Sequence, residues 1–245
     1  MIDAFSTAVA RHRRPVLVVG LLVAAGNAVA MGYAPDLARA LLLPVLALAL
    51  TALILAIVTL GNRPAALVAL PRPLSFSPPV AGWRVLLALG LLGQASTTVG
   101  AYLRSAEAGI DTTIDAVLGV LWLALIALVV RAAVRGHDVR LDPEGLHVTG
   151  LLGSRTVPWA AGPAAEAPGD DGRSSIRLPL TVARPELVRR HGLVVGRPRL
   201  PTDGVDARFL AAVISHYVAH PQHRSAIGTP EEYRRLHTHL RGATG

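Results

Sequence analysis

The sequence predicts a membrane-embedded bundle of four helices joined to one small soluble domain of β-strands that closes with a helix. Three observations lead there. Apolar runs at about 15–34, 37–60, 82–103 and 113–134 occupy most of residues 1–136. Each is close to the ~20 residues a helix needs to cross ~30 Å of hydrocarbon. Beyond Arg135 no such run recurs, and the chain turns polar, rich in Gly, Pro and Arg, with short alternating segments. The composition agrees: 52% hydrophobic and 16% charged residues fit a membrane class better than a water-soluble one.

Arginine placement orients the bundle. The first 135 residues hold 10 Arg and 5 acidic residues, the remainder 14 and 11, and lysine is absent. Arg11, Arg13 and Arg14 precede the first span, Arg63, Arg72 and Arg84 fill the connection between the second and third, and Arg131 and Arg135 close the fourth. The two opposite connections hold only Arg39 and Arg104 among basic residues. By the positive-inside rule both termini are cytoplasmic, in a multi-pass protein of the inner (plasma) membrane. Arg13-Arg14, the apolar stretch and Ala28-Val29-Ala30 imitate a signal peptide, but the run continues to Ala34, which favours a retained span. With no cysteine, disulfides, thiolate catalysis and Cys-ligated metals are excluded.

Within the spans the polar residues are few: Asn27, Gln94 and the Ser96-Thr97-Thr98 cluster. Asn27 and Gln94 lie at similar depth in spans running the same way, so an Asn27–Gln94 hydrogen bond between helices is expected, worth ~0.6–2 kcal/mol. Small residues at Gly26/Ala30, Gly93/Thr97 and Ser96/Gly100 would let backbones approach. No ionisable group sits at mid-membrane, so an ion-coupled relay has no chemical basis here. Residues 62–83, with five prolines, read as a cytoplasmic connection whose Leu67, Val68, Leu70, Phe76 and Trp83 could rest among the headgroups.

The soluble domain begins as a meander. Asp138–Leu141 reads as a strand, and Asp142-Pro143-Glu144-Gly145 as a turn with Pro second and Gly fourth. Leu146–Thr149 alternates, Gly153-Ser154 signals a hairpin, and Arg155–Trp159 returns. Residues 163–173 read as a loop without core residues, followed by strands at 175–180, 193–195 and 199–200. Val205, Phe209, Leu210, Val213, Ile214, Tyr217 and Val218 then recur at helical spacing, with Asp203 as cap and Pro221 as stop. Phe209 and Val213 should face the core, and Arg208 and His216 water. A second helix should start at Thr229-Pro230, with Glu232 closing a capping box.

The run Val139–Trp159, with its Gly145-Leu146 turn, Leu152-Gly153 hairpin and Trp159, resembles the opening of the bacterial PH-like domains of actinobacterial membrane proteins, among them the low-molecular-weight protein antigen family. The tail His220–Glu231 is similar to the end of such proteins. The resemblance spans roughly 137–235 and implies two packed, nearly orthogonal sheets with a C-terminal helix, a PH-like domain at 137–226 and a helical tail at 227–245. It carries no catalytic motif. Residues 160–172 depart from the pattern in lacking strand alternation.

Candidate chemistry is sparse. His216, His220 and His223 stand at i, i+4 and i+7, a spacing that can gather imidazoles around a metal, but Pro221 interrupts the helix and no carboxylate lies close in sequence. They are read as a solvated face, with no metal and no cofactor. Asp170 and Asp171 lie in a loop, and no nucleophile-elbow or phosphate-loop pattern occurs. Arg184, Arg189, Arg190, Arg197 and Arg199 form the densest basic stretch and are the candidate lipid or partner surface. Aromatic residues are too few for a nucleic-acid platform. The expected function is that of a non-enzymatic, membrane-anchored interaction protein binding a protein partner or the inner leaflet. The alternative is a subunit of a membrane transport or enzyme assembly.

Overall fold

A computed structural model describes residues 8–61, 63–108, 113–135, 138–150, 152–166, 177–193, 196 and 198–242. The chain divides into two compact units: Met1–Gly61 with Val80–Arg135, and Asn62–Pro79 with Gly136–Gly245. The expected division at residue 136 is therefore incomplete, because the connection between the second and third helices belongs to the second unit.

The first unit holds helices α1 (Arg13–Tyr33), α2 (Pro35–Leu60), α3 (Gly82–Glu107) and α4 (Thr113–Arg135). The first three are long and apolar enough to cross a membrane. Among the described residues of α4 the apolar stretch is Gly119–Val134. The other three helices all pack on α3. Close approach there relies on glycine: a Cβ on Gly100 would stand 2.4 Å from Met31 Cβ, and one on Gly93 2.8 Å from Ala49 Cβ. Gly26 meets nothing within 4 Å and has no such role. Leu43, Leu48 and Ile57 of α2 are about 70% exposed. That outward apolar surface carries no penalty in hydrocarbon, where helix association rests on packing and polar contacts.

The second unit is built on antiparallel sheet. Strands β1 (Val68–Pro71) and β2 (Leu74–Ser77) form a hairpin, followed by β3 (Asp138–Leu141), β4 (Gly145–Thr149), β5 (Gly153–Pro158), β6 (Pro163–Ala165), β7 (Arg177–Val182), β8 (Arg189–Gly192) and β9 (Arg199–Pro201). One sheet runs β1-β2-β3-β4-β5-β8 and the other β6-β7-β9. Helices α5 (Ala207–Ala219) and α6 (Pro230–Gly242) follow, separated by a 3-10 helix at Pro221–Ala226.

The interhelical connection is thus not a headgroup loop. Leu67 and Phe76 are buried in the same core as Val139, Leu141, Leu146, Val157, Leu178, Leu210 and Tyr217, while Trp83 belongs to α3 and packs within the helical unit. The connection's prolines exclude a helix but permit a four-residue strand at a sheet edge, where a missing N–H costs no ladder bond.

Local chemistry explains most of the rest. Asp142 Oδ1 accepts from the backbone N–H groups of Glu144 and Gly145, both at 2.9 Å, closing the predicted turn, and Trp159 Nε1 donates to Asp142 O. The next turn differs from expectation. Thr149 pairs with Ser154 and Gly150 N–H donates to Gly153 O, so Leu152 lies at the tip and Gly153-Ser154 opens β5. Pro163–Ala165, expected as loop, pairs with β7, and Ala161 is fully buried. Small side chains there let α5 pack closely, so a segment without large apolar residues still forms core. Residues 167–176, including Asp170 and Asp171, and Val194-Val195 lie outside the described residues.

Asp206, not Asp203, caps α5, accepting from Phe209 N–H at 2.9 Å. Thr229 caps α6 through Glu232 N–H, but the Glu232 carboxylate does not close a box; it turns to the Tyr217 hydroxyl and to Arg235. The tail is no appendage, since Ile227 and Leu236 are fully buried in the core. Val213 faces that core as expected, whereas Phe209 is half-buried at its margin.

Candidate functional site

Register places one end of the large sheet. β1 enters at Val68, opposite Ser77 where β2 leaves, and Phe76 pairs with Leu141, so Asp138 starts β3 at that same end. Asp138 pairs with Thr149, which leads into the Gly150–Gly153 turn, and Gly153 pairs with Gly192 at the end of β8. Val68, Ser77 and Asp138 therefore share a sheet end with Leu152 and Leu193. These two leucines are joined by a Leu193 N–H to Leu152 O hydrogen bond of 3.1 Å, yet they are 67% and 66% exposed.

Among the described sequence-predicted arginines, Arg189 and Arg190 lie on the strand that finishes at this end, whereas Arg184 donates its N–H to Ala161 O, beyond the opposite end of β5. Arg189 and Arg190 are exposed on β8, the terminal strand of the sheet; Arg184 is exposed in the segment leading to β8; Arg199 is exposed on β9 of the second sheet. Arg197 lies outside the described residues. Sequence reasoning missed Arg155. It sits directly opposite Arg190, is only 6% exposed, and donates from Nη2 to Gly196 O at 3.0 Å, while its Nε has no hydrogen-bond partner. Burial, then the Arg190 charge, lowers its pKa, although a guanidinium stays protonated. The signal was alternation: Arg155 shares the inward face of β5 with Val157.

In the helical unit Asn27 is buried, but its partner is not Gln94. Asn27 Nδ2 donates to Ser96 Oγ at 2.8 Å, and Ser96 Oγ donates to Gly93 O at 2.7 Å. Gln94 is exposed and lines a cavity of about 740 Å³ between α3 and α4 with Thr98, Tyr102, Gly119 and Trp122. Matched depth is not matched direction: two positions along a helix rotate a side chain by about 200°.

The histidines gather. His216 lies on α5, His220 at its C-cap, and His223 on the 3-10 helix that follows. Their candidate ligand atoms all lie within 4.8 Å of one another. His216 Nε2 and His223 Nδ1 are 3.1 Å apart, and the His220 ring stacks on both. His220 Nδ1 lies 3.0 Å from His216 O. From α6, His239 brings its ring centroid to 5.0 Å from that of His216. His216 is not a solvated side chain: it is 7% exposed, and its Nδ1 has no hydrogen-bond partner. Burial, then the neighbouring His220, His239 and His223, depress its pKa to about 4, so this imidazole is neutral at pH 7. Pro221 ends the α-helix, as the sequence implied, but the 3-10 turn beyond it swings His223 back beside His216.

No protein-family model, curated protein or solved structure matches this chain.

Proposed function

We propose that this is a four-span membrane protein, both termini cytoplasmic, whose soluble domain is a non-enzymatic module docking on the anionic inner leaflet. The observation that carries the reading is the shared sheet end. Leu152 and Leu193 are exposed at the end shared by Val68, Ser77 and Asp138, and the exposed Arg190 and Arg189 follow two and three residues back along β8, about 7–10 Å behind Gly192. Those depths suit leucines at the headgroup–acyl boundary and guanidinium groups among phosphates. Inserting one Leu is worth ~1.5–3 kcal/mol, and each arginine near the surface ~1 kcal/mol.

Connectivity supports the fourth span. The strands before α3 and after α4 pair with each other, so a chain that leaves through α3 has to come back through α4. A PH-like reading of the domain draws on seven strands, β3 to β9, in two antiparallel sheets followed by an amphipathic helix. The β1–β2 hairpin is then an addition to that plan.

The test uses the absence of cysteine. Leu152→Cys in the full chain, carrying an environment-sensitive fluorophore and reconstituted in nanodiscs, should be quenched by lipid-chain quenchers when anionic lipid is present. Quenching should fall in an Arg189→Gln/Arg190→Gln background. A label that stays in water whatever the lipid would overturn the leaflet reading and leave this end to a protein partner.

A second reading, as a subunit of a membrane transport or enzyme assembly, is favoured by the α3–α4 cavity. Gln94 and Thr98 are exposed there, where hydrocarbon would leave an amide unsatisfied. A helix of another subunit would satisfy it, and disulfide cross-linking from Thr98→Cys in native membranes would capture that neighbour.

A further inference from the structure

We infer that His216, His220 and His223 form a binding site for a divalent transition-metal ion, and that zinc is the ion their donor set suits. The site is independent of the leaflet reading and rests on different residues.

Geometry is the first support. Imidazole nitrogens bound to one tetrahedral zinc at ~2.0–2.1 Å stand about 3.3 Å apart. The His216 Nε2 to His223 Nδ1 separation is 3.1 Å, and the three candidate ligand atoms fall within 4.8 Å. Turning the rings out of their near-parallel stack would aim all three lone pairs at a single ion.

The surroundings are the second. His220 Nδ1 is held by His216 O at 3.0 Å, which fixes the ring and leaves Nε2 as its free donor, the arrangement that orients most metal-binding histidines. Neutral imidazoles suit zinc, nickel or copper, whereas calcium and magnesium demand oxygen ligands. His239 of α6, with its ring centroid 5.0 Å from that of His216, borders the set without belonging to it, so the fourth position is left to water. An ion so held would tie the end of α5 to the 3-10 helix.

The experiment uses the full chain in detergent, stripped with chelator, desalted and supplied with Zn²⁺ or Co²⁺. One zinc ion per chain should be retained, the melting temperature should rise, and cobalt should give the visible absorption of a tetrahedral site. Because His216 is buried and its loss could unfold this corner, the decisive variants are His220→Ala and His223→Ala. Each should weaken binding by at least the roughly 10–100-fold that losing a supporting hydrogen bond to a ligand costs. His12→Ala, in the other unit, should bind as the parent does. Failure of the parent to retain zinc, or retention unchanged in His220→Ala and His223→Ala, would overturn the assignment and leave the 3.1 Å contact as a plain N–H···N bond.

Discussion

Phe76 lies directly opposite Leu141 in the large sheet, pairing a residue from the connection between α2 and α3 with one from the strand after α4. Both side chains are fully buried. The second unit is therefore assembled from two stretches of chain separated by a helical hairpin. Truncating a buried Phe typically costs ~3–5 kcal/mol, against a domain stability of ~5–15 kcal/mol. Phe76→Ala should lower the unfolding midpoint of the second unit sharply, although it lies in sequence between two helices of the first. A fragment of residues 136–245 should lack cooperative unfolding until residues 62–79 are supplied. A fragment that melts cooperatively alone would show the hairpin to be dispensable.

Gly228 packs against the backbone of the same hairpin. Its φ is 93°, and a Cβ there would stand 2.2 Å from Ser75 N, a backbone atom that cannot swing away. Gly228→Ala adds left-handed strain of ~1–2 kcal/mol to that clash. The variant should be destabilised by more than the strain alone, whereas Gly196→Ala, also at positive φ but with nothing within 4 Å, should pay only the strain. Equal losses in thermal melts would mean the hairpin yields.

The buried polar contact of the bundle gives a double-mutant cycle. Asn27→Leu and Ser96→Ala should each cost stability in detergent, with a coupling of ~0.6–2 kcal/mol between them. Gln94→Leu should be near neutral to the isolated chain. Coupling to Gln94 instead of Ser96 would contradict the observed pairing.

Tyr217 donates to Glu232 Oε1 at 3.1 Å between α5 and α6, and its phenol is held protonated by burial first and the Glu232 charge second. Removing the hydroxyl leaves a buried carboxylate with one donor fewer, at a cost of ~1–3 kcal/mol. Tyr217→Phe should melt lower by that amount, and Arg235→Ala should add to the loss, because Arg235 is the other partner of the same carboxylate. Urea unfolding of the two single variants and the double variant would measure it.

Topology is testable by thiol labelling, since the chain has no cysteine. Arg72→Cys, exposed at the β1–β2 turn, should react with an impermeant reagent only after permeabilisation, and Ala108→Cys, exposed after α3, from outside. The reverse pattern would invert the orientation argued from arginine placement.

The sequence by itself determined the apolar helices, the arginine asymmetry, most strands and turns after residue 138, and the Thr229 cap of α6. Each is written in neighbouring residues, as hydrophobic length, period two, a Pro–Gly turn or a capping side chain. What it could not determine depends on partners distant along the chain. Four residues of β2 carry too little alternation to announce a strand, and only Leu141 opposite Phe76 gives them a sheet to join. Asn27 and Gln94 share a depth but not a direction, and the rotation of α3 against α1 hands the contact to Ser96. His216 looks solvent-facing on a helical wheel. It becomes buried because the turn after Pro221 and helix α6 fold back over it, bringing His220, His223 and His239 to one place.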